Sequence, residues 1–179
     1  MNSARKIQNL ALIGFMGTGK SAVGRLIAEQ LRFSFLDTDE TIESSVGKPI
    51  ADIFAQQGEA AFRELERNLV AELASQTQTV ISTGGGLPVN PANLTSLKSH
   101  SLIVCLWAGP ESIWERVRHQ QHRPLLKEGD PLAKIRELLA TREPFYRQAD
   151  VLINTELRSV KEVAQQVILQ FRAACSGHK

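Results

Sequence analysis

The apolar run "LALI", residues 10 to 13, leads directly into "GFMGTGKSAVG", residues 14 to 24, and no other stretch of the 179-residue chain restricts the fold as strongly. Gly, four residues, Gly-Lys and then Ser or Thr is the pattern of a loop that cradles phosphate between a strand and a helix. Glycines are needed there because side chains would hold phosphate oxygens away from the backbone N–H groups. Behind the loop, Val23, Leu26, Ile27 and Leu31 recur at helical spacing and make one apolar stripe. With strand, loop and helix in that order, the backbone of Gly17, Thr18, Gly19, Lys20 and Ser21 faces the positive end of the helix dipole. Lys20 is then expected to reach the β- and γ-phosphates of a nucleotide and the Ser21 hydroxyl to ligate Mg2+. The plainer alternative, a glycine-rich turn with an exposed lysine, leaves the conjunction of all parts of the motif unexplained.

Further apolar runs, "FSFL" (33 to 36), "TVIS" (79 to 82), "SLIVCLW" (101 to 107) and "DVLIN" (150 to 154), alternate with longer helical patterns. Such alternation predicts an α/β fold, a mostly parallel sheet covered by helices. At 42% hydrophobic and 22% charged residues, the chain suits one globular domain over residues 1–179. Ser159 and Glu162 form a capping box ahead of a final helix whose stripe is Val160, Val163, Ala164, Val167, Ile168 and Phe171. Two segments break the alternation. Residues from about 38 to 73 hold helical patterns interrupted by "GKP" and "QQG" and no strand, which reads as an inserted substrate-binding segment. Residues from about 119 to 131, within them "HQQHRPLLKEGD", are polar with Pro and Gly and read as a lid.

A formal net charge of +2 with basic residues spread along the chain does not suit a nucleic-acid binder. Cys105 and Cys175 stand too far apart in character and position for a disulfide framework or metal clip, and a reducing cytoplasmic setting is expected. No apolar run approaches the roughly 18 residues of a membrane span. The short apolar segment after Arg5 and Lys6 runs straight into the glycine loop, so no signal peptide is expected.

A phosphate loop serves switches, motors and kinases alike. No Asn is followed by Lys, so the guanine reader of a Ras-type switch is missing, and the third and fourth runs lead into "TGGG" and "WAGP" rather than an acid. The metal's carboxylate must therefore come from "LDTDE", where Asp37 and Asp39 follow the second strand at the ligand-facing edge of a parallel sheet. One can serve the metal and the other a substrate hydroxyl; helix capping by Asp37 or Thr38 is the alternative. Arg63 sits at the edge of a stripe of Phe62, Leu65, Leu69 and Leu73, where ion pairing with Glu59 or Glu66 would also account for it. Arg142 continues the stripe of Leu132, Ile135 and Leu139, with Pro144 ending or kinking that helix; a guanidinium on a buried face needs an anion. Gly84, Gly85 and Gly86 exceed what a turn requires and suggest a ligand against bare backbone. Arg123 lies in the polar loop, either solvated or poised over phosphates, and His119 and His122 lack a third metal ligand and read as polar lid residues.

Taken together, "GFMGTGKSAVG", "FLDTDE", "FRELE", "TGGGLP", "RPLL" and "TREPFYRQAD" resemble the shikimate kinase family in order and spacing over nearly the whole chain. The resemblance implies a three-layer αβα P-loop fold with a five-stranded parallel sheet in order 2-3-1-4-5. It implies transfer of the ATP γ-phosphoryl group to the 3-hydroxyl of shikimate in aromatic amino-acid biosynthesis, by a monomer. Carried onto these positions, it makes Lys20 and the backbone of Gly17 to Ala22 the phosphate cradle, and Ser21 with Asp37 the Mg2+ site. Asp39 would grip the shikimate hydroxyls and accept a proton, Arg63 and Arg142 would clamp the carboxylate, and Gly84 to Gly86 would underlie the ring. Arg123 would meet the phosphates on lid closure, and Arg158 would line the adenine. Ala22 stands where the family commonly has Thr, which removes one hydroxyl contact to the α-phosphate, and "YRQAD" is one residue shorter than in several relatives. Rival readings are another small-molecule P-loop kinase, acting on gluconate or a nucleoside monophosphate, and an ATP-binding regulatory module.

Overall fold

The structure is a computed structural model, and it describes residues 5–119 and 130–176. Five strands, β1 (Asn9–Ile13), β2 (Ser34–Asp37), β3 (Thr79–Ser82), β4 (Ser101–Trp107) and β5 (Val151–Asn154), form one parallel sheet in the order β2-β3-β1-β4-β5. Each coincides with an apolar run of the sequence to within a residue or two. Both faces are covered, which is why the central strands read as continuous hydrophobics rather than as an alternation.

Alternation reappears in the packing. Leu10 and Leu12 of β1, with Leu102, Val104 and Leu106 of β4, point to one face, where they meet α1 (Lys20–Leu31) and α7 (Val160–Ser176). Ala11, Ile13, Ile103 and Cys105 point to the other, where α3 (Ile50–Leu73), α4 (Pro91–His100), α5 (Pro110–Val117) and α6 (Pro131–Tyr146) close over them. A one-residue slip of β1 would exchange the two sets and empty both cores. In α1 the buried positions besides Lys20 are Val23, Gly24, Ile27 and Ala28, while Leu26 and Leu31 stay half-exposed, so the stripe is turned slightly from the one read in the sequence. The reason is Phe35, whose ring would lie 2.7 Å from a Cβ at Gly24: the helix meets the sheet along its small residues.

Between β2 and β3 there is no strand. α2 (Thr38–Val46) ends on Gly47, and α3 is kinked at Gly58, the glycine of "QQG". In α6, of the two readings of Pro144, ending the helix is not what happens, because the helix continues to Tyr146. The two remaining residues are held from the far side by packing, since Tyr146 is fully buried. α7 begins with its capping box: the Ser159 amide donates to Glu162 Oε2 at 2.7 Å and the Glu162 amide to Ser159 Oγ at 3.3 Å. Among the described residues no helix is long and apolar enough to cross a membrane.

At the N-terminal strand edges, far in the topology from the phosphate loop, Asn9 organises a buried polar cluster. Its Oδ1 accepts from the Thr79 amide at 3.0 Å, so its Nδ2 is the donor to Gln76 O at 2.7 Å and to His100 Nδ1 at 3.0 Å. His100 therefore accepts on Nδ1 and is held neutral. Burial pushes its imidazole below the ordinary 6.5, and the charge of Arg5 pushes the same way. The folded chain binds this proton less readily than the unfolded chain, so the contribution is harmless above about pH 6.5 and destabilising as the pH falls below it. Urea midpoints measured across that range are expected to drop on acidification, and His100→Gln should flatten the drop; an unchanged slope would exclude His100 as its source.

Candidate active site

Order β2-β3-β1-β4-β5 makes β1 the central strand, with successive connections leaving to either side of it. The crevice at such a reversal lies beyond the carboxyl ends of the strands. Every group described next stands there, at the ends of β1, β2 and β3 or on α1, α2, α3 and α6.

The phosphate loop leaves β1 at Gly14, whose φ of 135° and position, with an imagined Cβ only 2.3 Å from Leu106 O, admit no side chain. Thr18 Oγ1 donates to Phe15 O at 2.8 Å, closing the loop on itself. Lys20 is buried, and its Nζ donates to Gly14 O at 2.9 Å and Phe15 O at 2.8 Å, which holds the ammonium inside the ring of backbone. Gly19 caps α1 with no side-chain bond, and the first turn holds no acid, so its amides and the positive end of the dipole are available to an anion. Ala22 is exposed at the start of that helix.

Asp37 ends β2 and uses its two oxygens separately. Oδ1 accepts from the amides of Asp39 at 3.1 Å and Glu40 at 3.5 Å, capping α2, while Oδ2 accepts from Ser21 Oγ at 2.7 Å. Capping and a position beside the phosphate loop, alternatives in the sequence, hold together in the structure. Ser82, the last residue of β3, lies with its Oγ 3.3 Å from Ser21 Oγ, completing an all-oxygen cluster.

Beyond Ser82 the chain turns through Gly84, Gly85 and Gly86, and each faces one charged side chain. A Cβ at Gly84 would stand 2.4 Å from Asp39 Oδ1, one at Gly85 3.4 Å from Arg142 Nη1, and one at Gly86 2.8 Å from Arg63 Nη1. Gly84 and Gly86 thus admit a carboxylate and a guanidinium against bare backbone, and Arg142 lies at contact distance from Gly85. Asp39 Oδ1 is buried without a hydrogen-bond partner among the described residues. Burial, and then the charge of Asp37, push the Asp39 carboxyl up to about 6, with Lys20 opposing.

Arg63 pairs with both of the acids that the sequence offered: Nη1 with Glu66 Oε2 at 2.7 Å and Nη2 with Glu59 Oε1 at 2.8 Å. The two differ greatly. Glu59 is exposed, whereas Glu66 keeps only 1% of its side chain exposed, and its Oε1 has no partner among the described residues. Burial pushes the Glu66 carboxyl up, and the charges of Arg63 and Arg142 counter it. Arg142 is half-buried with its guanidinium 5.5 Å from the Phe15 ring, so the two arginines, Glu66 and the phosphate loop adjoin.

The shikimate kinase family model matches residues 16–172. The chain belongs to the shikimate kinase family. It is similar to the shikimate kinase of Caldanaerobacter subterraneus subsp. tengcongensis, at 44% identity over 162 residues that cover 90% of this chain and 95% of that one. Among solved structures it resembles the shikimate kinase from Acinetobacter baumannii in complex with shikimate, with a TM-score of 0.89 at 36% identity over 94% of this chain and 95% of that one. It also resembles the Aquifex aeolicus shikimate kinase, with a TM-score of 0.82 at 36% identity over 96% and 99% of the two chains.

Arg123 and His122 lie outside the described residues. Arg158 is exposed in the turn between β5 and α7 and donates to Gln166. Arg116 of α5, not singled out in the sequence, does reach the loop: it donates to Gly17 O at 3.2 Å and to Thr155 Oγ1 at 2.9 Å. Its only sequence signal was position, one turn before the expected lid. Glu66→Ala, by removing the buried carboxylate that faces both arginines, is expected to cost about 1–3 kcal/mol of stability in urea denaturation; a loss like that of Glu59→Ala would show that Glu66 is no more than a surface partner.

Proposed function

We propose that the crevice is the two-substrate centre of this shikimate kinase, with ATP phosphates on the loop of Gly17 to Ala22 and shikimate on the floor of Gly84 to Gly86. As a member of the family the chain is an ATP-dependent phosphotransferase: it moves the γ-phosphoryl group of ATP to the 3-hydroxyl of shikimate, giving 3-phosphoshikimate and ADP. The observation that carries the assignment of roles is the register of three glycines with Asp39, Arg142 and Arg63. A carboxylated polyol needs a hydroxyl acceptor and a guanidinium clamp, and both stand one short backbone run apart, beside the phosphate loop. The Acinetobacter baumannii relative, solved with shikimate, supports placing this substrate in the shared fold.

A kinase of this kind uses ATP with a divalent cation, which we take to be Mg2+. Ser21 and Asp37 would hold it, and their oxygens, with Ser82 adjacent, suit a hard cation. Bound there, the ion neutralises charge on the β- and γ-phosphates. The chain's own residues do the rest. Lys20 and the loop amides hold the phosphates, and Arg123, from the lid, adds charge to the transferring group. Arg158 is proposed for the adenine from its place after β5. Arg63 and Arg142 take the substrate carboxylate, displacing no backbone because the glycines leave room. Asp39 accepts the 3-hydroxyl proton as that oxygen bonds to the γ-phosphorus and the bond to the β–γ bridging oxygen breaks, its electrons leaving with ADP. Positioning and charge stabilisation supply most of the acceleration through a loose in-line transition state. One chain contains every group named, so a monomer suffices.

Arg63→Ala and Arg142→Ala are each expected to raise the KM for shikimate by about 10- to 100-fold, the worth of a charged hydrogen bond, with the KM for ATP little changed. Weaker ATP binding at unchanged shikimate affinity would refute the clamp. For Asp39→Asn, a coupled ADP-release assay should report turnover reduced by about 100-fold or more while ATP still binds; near-normal turnover would remove Asp39 from proton transfer. Wild-type enzyme should release ADP with shikimate and stay silent with gluconate or nucleoside monophosphates.

A further inference from the structure

The glycine floor has no side chains of its own, yet its conformation must be fixed closely enough to present backbone at the distances just given. Glycine runs carry the largest backbone freedom of any residue, so something outside the run has to hold it. The backbone bonds account for part of this: Leu87 N donates to Gly84 O and Val89 N to Gly86 O, each at 3.1 Å, through the short 3-10 turn of Leu87–Val89 that follows. Of the groups that remain, two are taken by buried side chains. The Gly84 amide donates to Thr38 Oγ1 of α2 at 2.9 Å, and Gly85 O accepts from Tyr146 Oη of α6 at 2.6 Å.

We propose that Tyr146 is a positioning residue for shikimate binding, setting the middle of the glycine floor through its hydroxyl and tying it to the helix that carries Arg142. Tyr146 is fully buried, and residues 142 and 146 lie one helical turn apart on the same face of α6. A displacement of α6 therefore moves the guanidinium and the floor beneath it together, which keeps the Gly85 to Arg142 spacing constant. Thr38 plays the matching part for Gly84, opposite Asp39, from the start of α2. The phenol does not ionise in use: burial pushes its hydroxyl up to about 12. It acts as a neutral donor and touches no reacting atom.

The proposal rests on the reading that the floor binds shikimate, and the test separates the two. Tyr146→Phe keeps the ring and removes the hydroxyl, with its bond to Gly85 O and its interaction with Arg142. Its KM for shikimate, and the Kd for shikimate by calorimetry, should rise about 3- to 10-fold, the worth of one hydrogen bond. The KM for ATP should stay within twofold. A structural role alone would lower the melting temperature and move both KM values together or neither. Arg142→Ala and the double variant are measured alongside. If Tyr146 acts through the floor and Arg142, the two losses in shikimate affinity combine to less than their product. Unchanged shikimate affinity in Tyr146→Phe alone overturns the proposal, as does a full product in the double variant. Unchanged affinity in both single variants overturns the site assignment and the proposal with it. Should Tyr146→Phe fold poorly, Thr38→Val, which removes the acceptor of the Gly84 amide, must show the same selective loss for shikimate, and its absence is equally decisive.

Discussion

The carboxylate of Asp37 is the joint of the molecule's working end. One oxygen caps α2 and the other accepts from Ser21, so the same group starts the segment that carries Asp39 and fixes the first turn of the helix behind the phosphate loop. Two half-sites that belong to different elements are thereby held in one frame. Losing this carboxylate would leave α2 without its side-chain cap and the Ser21 hydroxyl with only Ser82 beside it. Because Asp37 leaves β2 in register with Ser82 at the end of β3, the joint is set by the sheet itself rather than by a loop.

Around that joint the site is built by subtraction. Charged side chains ordinarily demand space and solvent, and here both are limited. The solution is to leave out Cβ atoms where Asp39 and Arg63 approach, at Gly84 and Gly86, and let those charges rest on backbone, with Glu66 as a buried counter-charge to Arg63. A buried carboxylate facing two arginines is costly as a source of stability.

Much of this was legible in the sequence, and the remainder divides by range. The strands were readable because continuous apolar runs are what a sheet covered on both faces requires, and the phosphate loop because its chemistry tolerates few letters. Asp37, Asp39, Arg63 and Arg142 were readable as unusual residues in ordinary patterns. Their alternatives were local, and in Arg63 and Asp37 the local bonds and the site position hold together. Ser82, Tyr146, Arg116 and Glu66 were not recognised as site residues, because a serine ending a strand or a tyrosine ending a helix acquires its meaning only from partners brought close by the topology. Tyr146 meets Gly85 across 61 positions of chain. Pro144 left two readings open for the opposite reason: its local preference to end a helix was outweighed by burial of the residue two positions on.

The start of α5 has a consequence for how the molecule is made. At eight residues this helix is too short to persist alone, and its first amide is capped not by a neighbour but by Glu156, 47 residues later, which takes Gly109 N at 2.8 Å and Ser112 Oγ at 2.9 Å. α5 in turn supplies Arg116 to Gly17 of the phosphate loop. The earliest motif in the chain is therefore finished by residues that follow the last strand. During synthesis the loop must wait for β5 to emerge and pair, and folding reaches its nucleotide site by closing one of its longest circuits.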